Sequence, residues 1–151
     1  MDNLSSLPDD ELTVLAQSDD PAALFEKGRR VNASGEAAEA RKFFTFASVL
    51  GNRDAHKALA AVYEGERRLD DARDLYALAY LKGDEAALPK YARLLTRSDE
   101  KTGLNLLKYY AVEGNTGCIA ELVAYYKETG EQKEVKFWSN WLERLRRSSG
   151  Q

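Results

Sequence analysis

A spacing that returns after 32 residues constrains this chain more than any other feature: Ala40, Phe44 and Ala47 recur as Ala72, Tyr76 and Ala79. Around the second copy, the stretch from Gly51 to Asp84 reads as two short antiparallel helices. Leu59, Ala60 and Tyr63 on the first meet Ala72, Tyr76 and Ala79 on the second. One such hairpin cannot bury its apolar face alone, so the same spacing upstream and downstream means stacked hairpins with a shared core. The predicted fold is all-α: a right-handed α-solenoid of about four antiparallel helix pairs with a short N-terminal helix, in a single helical-repeat domain over 1–151.

Taken in order, residues 6–18 read as the leading helix, with Ser6 as its cap and Pro8 tolerated in the first turn. Asp9, Asp10 and Glu11 complement the positive end of its dipole. Leu12 and Leu15 are its apolar stripe, and a helix this short needs a partner, so it is predicted to lie on the first repeat as a lid. The first repeat spans about 21–50. Asp20 caps it, Pro21 takes the first helical position, and Gly35 breaks it before a second helix from about Glu36 to Leu50. Gly28, Val31, Ala40, Phe44 and Ala47 hold its packing places. The second repeat covers 52–82, and Gly51 and Gly83 close the helices before and within it as left-handed residues.

The third repeat, about 85–113, is irregular twice over. Its turn is one residue short, because Leu95 to Gly103 is eight positions where Val31 to Ala40 and Tyr63 to Ala72 are nine. Pro89 also stands inside its first helix, which predicts either a late start near Leu88 or a bend. Ser98, Asp99 and Glu100 start its second helix, which carries Leu104, Leu107 and Ala111. The fourth repeat, 115–147, has Leu122, Val123 and Tyr126 on its first helix and Gly130 in the turn.

These residues resemble the tetratricopeptide and Sel1-like repeat families. The tetratricopeptide likeness is carried by Gly28, Val31, Ala40, Phe44 and Ala47, and again by Ala60, Tyr63, Ala72, Tyr76 and Ala79. The Sel1-like likeness lies in junctions of a glycine, then Asn or Asp, then a small residue four after the glycine: Gly51, Asn52, Ala55; Gly83, Asp84, Ala87; Gly114, Asn115, Cys118. The match covers about residues 21–145, and Gly103, Val135 and Ser139 depart from it. The resemblance implies an adaptor or scaffold rather than a catalyst.

Stacked hairpins set their first helices side by side, so equal offsets form ladders across that face. Phe25, Lys57, Pro89 and Ala120 make one, and Arg29, Ala61, Arg93 and Ala124 another. Asn32, Glu64, Thr96 and Lys127 make a third, and Ala33, Gly65, Arg97 and Glu128 a fourth. Phe25, Arg29, Asn32, Lys57, Arg93, Arg97 and Lys127 are therefore the candidate partner-binding residues of a mildly basic concave groove. Its expected ligand is a protein or peptide segment that is acidic or ends in a carboxylate. The competing reading is that these are ordinary solvated charges on exposed helix faces.

On the last helix, Val135, Phe137, Trp138, Trp141, Leu142 and Leu145 cover roughly 160° of the circumference at 100° per residue. Phe137 and Trp141 are candidates for an exposed patch that docks a partner or a second copy as a homodimer. Alternatively both rings fold down onto the fourth repeat, with Arg144, Arg146 and Arg147 facing water. Most of the eight tyrosines read as seam packing, with Tyr80, Tyr109 and Tyr125 less constrained. His56 occupies the offset of Leu24, Leu88 and Ile119 and reads as a half-buried, hydrogen-bonded histidine. Cys118 takes the place of Ala55 and Ala87 as a small buried hydrophobe.

Composition and motifs argue against the remaining classes, with catalysis the weakest of them. A net charge of -3 offers no basic field for nucleic acid, and no apolar run reaches the roughly 18 residues of a membrane span. The acidic start MDNLSSLPDDELTVL has no export signal and one cysteine makes no internal disulfide, which together predict a cytoplasmic home. One histidine and one cysteine leave most nucleophile-and-base schemes without parts, and no phosphate loop, HExxH or cysteine-pair spacing occurs. Acidic pairs such as Asp70 and Asp71 read as helix-end residues. No catalytic, cofactor-binding or metal residue is therefore expected. The predicted function is a protein-protein interaction module; the alternatives are an assembly subunit working through its last helix, and a chaperone or inhibitor of one effector protein.

Overall fold

The computed structural model describes residues 4–150, and among these every regular element is helical. Among the described residues nine α-helices fall into two compact units, Met1–Asp84 and Glu85–Gln151.

The first unit holds α1 (Asp9–Gln17), α2 (Pro21–Ala33), α3 (Ala37–Val49), α4 (Arg53–Gly65) and α5 (Leu69–Leu81), with a 3-10 turn at Leu4–Ser6 ahead of them. α2 packs on α3, α3 on α4 and α4 on α5. Alanine makes the crossings close: Ala40, Ala47, Ala55, Ala60, Ala72 and Ala79 are all completely buried. Beside them Phe44 and Tyr76 fill the space the small residues leave. Gly28 shows how tight that fit is, because a Cβ there would stand 2.7 Å from the Phe44 ring.

The junctions explain themselves physically. Gly51 has φ +90, a left-handed value that costs glycine nothing, and Asn52 then caps α4 by accepting the Ala55 backbone N–H at 3.1 Å. Asp20 does the same for Ala23 at 2.7 Å and Asn115 for Cys118 at 3.0 Å. The small residue four after Gly51 and four after Gly114 is thus the one whose N–H the cap receives, and Ala55 and Cys118 are fully buried there.

The leading helix is a lid, as its stripe predicts, with two differences. Ser6 lies in the 3-10 turn, and the N-cap position of α1, which starts at Asp9, belongs to Pro8 instead. Its buried pair is Leu12 and Ala16, packed with Ala23, Leu24 and Ala47, whereas Leu15 turns outward. Four residues along a helix stay on one face and three bring Leu15 to its flank, where α2 does not reach.

The second unit holds α6 (Leu88–Leu95), α7 (Glu100–Val112), α8 (Thr116–Thr129) and α9 (Gln132–Ser149), after a 3-10 turn at Glu85–Ala87. Pro89 gives the late start: its ring occupies the first turn of α6, where no backbone donor is lost. Asp99 caps α7 through the Thr102 N–H at 3.0 Å. The shortened turn and Gly103 belong together. A Cβ at 103 would lie 2.5 Å from the Thr96 nitrogen and 2.9 Å from the Ala92 carbonyl oxygen, so the missing residue pulls the chain in until only glycine fits. Leu107, Ala111, Cys118, Ile119 and Leu122 form the unit's interior.

Candidate partner-binding faces

The proposed groove residues sit on the first helices of their hairpins, α2 and α4 in one unit, α6 and α8 in the other, except Arg97, which lies in the turn beyond α6 because that helix ends at Leu95. In the first unit Arg29 is exposed, but its Nε donates to Glu26 at 2.8 Å. Glu26 is only 7% exposed and lies between Arg29 and Arg30; their guanidinium groups hold its carboxyl below the usual range. Asn32 is exposed. Phe25 is half-buried with its ring 5.8 Å from that of Phe44, so it acts first as packing. Lys57 is tied to Asp84 at 2.8 Å.

In the second unit α6 and α8 lie side by side. Lys90 reaches Glu121 at 3.4 Å and Arg93 reaches Glu128 at 2.5 Å, with the Arg93 guanidinium also 5.2 Å from the Tyr125 ring centre. Arg97 and Lys127 are exposed and form no ion pair among the described residues. The ladders thus hold three cations, Arg29, Lys57 and Arg93, already neutralised by carboxylates of the chain, and two that are available. Two further ladder positions close entirely: Pro89 and Thr96 are buried. Glu64 accepts from the Tyr76 hydroxyl at 3.1 Å and so braces its own hairpin.

α9 divides its aromatic residues. Trp138 is buried and its indole N–H donates to Glu134 at 3.1 Å, which makes it the lid on α8. Phe137 is 53% exposed, and Trp141, half-buried, stacks on it with centroids 6.2 Å apart. Arg144, Arg146 and Arg147 face water. The lid is thus made by Trp138, which the lid reading did not name, while Phe137 stays on the surface and Trp141 lies partly covered beside it.

Two other expectations change. His56 is buried rather than half-buried, and its Nδ1 has no partner among the described residues. Tyr125 is buried, its hydroxyl donating to Glu100, and the carboxylate beside it pushes its pKa up to about 12. Of the tyrosines expected to be loosely held, Tyr109 is open at 63% exposure. Cys118 is the buried small residue its offset suggests, and burial raises its thiol to about 11.

Sequence reasoning missed Arg30. Its guanidinium donates to the carbonyl oxygens of Leu4, Ser5 and Leu7 and to Asp9 and Glu26, fastening the 3-10 turn and α1 to α2. Its place one residue beyond a groove position gave no sign of this. Among the described residues no group of His, Cys, Asp and Glu could hold a metal ion, and no helix is long and apolar enough to cross a membrane.

No family model and no curated protein matches the sequence. Solved structures do. The nearly identical TPR-like repeats of a Podosopora anserina kinesin light chain assignment superpose with a TM-score of 0.70 at 14% identity, over 91% of this chain and 83% of that one. A Sel1 repeat protein from Oxalobacter formigenes gives a TM-score of 0.59 at 20% identity over 88% of this chain, which spans 62% of that one. With the hairpin crossings, caps and close-packed alanines already in place, the chain has the helical-repeat fold shared by tetratricopeptide-like and Sel1-like proteins.

Proposed function

We propose that this protein is a non-catalytic interaction module that holds a segment of a partner protein against the first helices of its hairpins. The observation that carries this reading is the state of α6 and α8. They lie side by side, pinned by Lys90–Glu121 and Arg93–Glu128, while Arg97 and Lys127 project with no carboxylate among the described residues. A face held rigid by internal pairs, with cations left over, suits an acidic segment or a terminal carboxylate. In the first unit Arg29 and Asn32 present the equivalent face, and Phe25 and Lys57 serve mainly to hold it. A cytoplasmic setting belongs to this reading, and the buried thiol of Cys118 suits it.

The experiment is affinity purification from the native cell with wild type and with an Arg97→Glu, Lys127→Glu double variant. Both side chains are exposed, so the fold is expected to persist, checked by helical circular dichroism. Loss of the captured partner in the double variant supports the reading; unchanged capture overturns it. Arg93 is the wrong residue for reversal, because a carboxylate there would face Glu128 and disturb the helix pair itself.

A further inference from the structure

Among the surfaces that neither the repeat packing nor the proposed binding face uses are two of opposite charge, one in each unit. The first is the outer side of α1. Val14 is 62% exposed and Leu15 38%, and together with Leu4 and Leu7 they line an open, largely apolar groove of ≈ 620 Å³. Glu11 and Asp20 also line it. From Leu4 to Ala22 the sequence holds five carboxylates, Asp9, Asp10, Glu11, Asp19 and Asp20, and no lysine or arginine. Asp9 is spent on Arg30 and Asp20 on its cap, but Asp10, Glu11 and Asp19 find no basic partner among the described residues.

The second is the outer side of α9. Phe137 stands open with Trp141 stacked on it, and Leu145 follows at the same four-residue step. At 100° per residue Lys133, Lys136, Arg144 and Arg147 all fall within roughly 100° of Phe137, on the side away from Trp138. Over Gln132–Ser149 there are five basic residues against Glu134 and Glu143, a net charge of +3 in a protein of net charge -3. Lys133, Lys136, Arg144 and Arg146 form no ion pair among the described residues, and only Arg147 is paired, with Glu143 at 2.5 Å.

We infer that the α9 face of one copy docks into the α1 groove of a second copy. An amphipathic helix presenting anchors at i, i+4 and i+8 is what an apolar groove of this size accepts, and the charges flanking the two surfaces are opposite in sign. The alternative of two α9 helices facing each other brings +3 against +3 and leaves the acidic groove uncovered. Contact between unlike faces satisfies both at once. Such an interface is heterologous, so each copy keeps one face of each kind to offer. It is independent of the α6 and α8 face.

The test is sedimentation velocity and light scattering of the full chain over a concentration series, at low and high salt. Wild type is expected to self-associate reversibly, and raising the salt to weaken it about tenfold or more. Val14→Asp and Phe137→Asp, each at an exposed position, are each expected to give a folded monomer. A Glu11→Lys, Asp10→Lys variant and a Lys136→Glu, Arg144→Glu variant are expected to be monomeric alone and to associate when mixed, since each then offers the other a matched pair of faces. A wild type that stays monomeric at its highest attainable concentration overturns the inference. So does association that survives Val14→Asp, which would place both halves of the contact on α9, and so does a mixture that fails to associate.

Discussion

At the scale of single residues, backbone sterics decide more than side-chain chemistry. Gly103 sits where the repeat pattern calls for alanine, and the reason is the short turn that sets it against the Thr96 nitrogen and the Ala92 carbonyl. Because those neighbours are backbone and cannot swing aside, Gly103→Ala is expected to cost about 1–3 kcal/mol, read as a lower urea midpoint with unchanged slope. Gly28→Ala meets the Phe44 ring instead, at 2.7 and 2.8 Å, and tests the same principle against a side chain. Arg67 is the opposite case. It holds φ 63 at the place where the preceding hairpin has Gly35 with φ +90, and its side chain is exposed. Relieving the left-handed strain outweighs the added freedom of the unfolded chain, so Arg67→Gly is expected to stabilise by about 0.5–1 kcal/mol. Cys118 carries a prediction of another kind. Its thiol is raised from 9.0 to about 11, chiefly by burial, so the fold favours the protonated form. That preference is fully present below pH 9.0 and is lost as pH rises through about 11, so stability should fall over that interval. Alkylation should be slow in the folded protein and fast in urea.

At the scale of elements, most of the fold was readable, because each hairpin is specified locally. The alanines and rings at fixed offsets name the crossing, glycine ends one helix, and Asn or Asp caps the next. Pro89 alone narrowed α6 to a late start or a bend, and the late start is what forms. What could not be read was any feature built by side chains far apart in sequence. Arg30 reaches back 23 residues to Leu7 and 26 to Leu4, and nothing in its neighbourhood distinguishes it from the solvated arginines. The groove suffered likewise: sequence offsets placed Arg29, Lys57 and Arg93 correctly on first helices, and Glu26 stands within local reach of Arg29, but the partners of Lys57 and Arg93 lie far along the chain, in the loop after α5 and on α8. Arg30 gives the element-scale prediction. Arg30→Lys keeps a charge but not the fork that serves three carbonyls, so hydrogen exchange in residues 4–17 should rise while α3 to α5 keep their protection. Acid should do the same to wild type. Glu26 has its pKa lowered from 4.5 mainly by its bond to Arg29, and next by Arg30 against the opposing effect of burial. Its contribution is therefore complete above 4.5 and disappears as pH falls through the lower folded value, loosening the anchor of α1.

At the scale of the whole molecule, the repeat leaves a second regularity on the outside. Phe46 and Leu78 share one offset in successive hairpins and Val49 and Leu81 another, and the next hairpin continues both with Tyr109 and Val112. All six are exposed, from 39% at Leu78 to 79% at Leu81, while the core is filled by Ala40, Phe44, Ala47 and their counterparts. The packing of the hairpins does not require these residues to be apolar. Their effect belongs to the surface: recurring apolar positions lower the barrier to non-specific association when the protein is concentrated or warmed. Val49→Lys with Leu81→Lys removes the two most exposed members within the first unit. Since neither side chain supports the interior, the urea midpoint should correspond to a change within about 0.5 kcal/mol, while turbidity on heating should appear at a higher temperature. A large loss of stability would instead mean that these side chains are covered in the folded protein, and the division between a close-packed alanine interior and an idle apolar exterior would have to be redrawn.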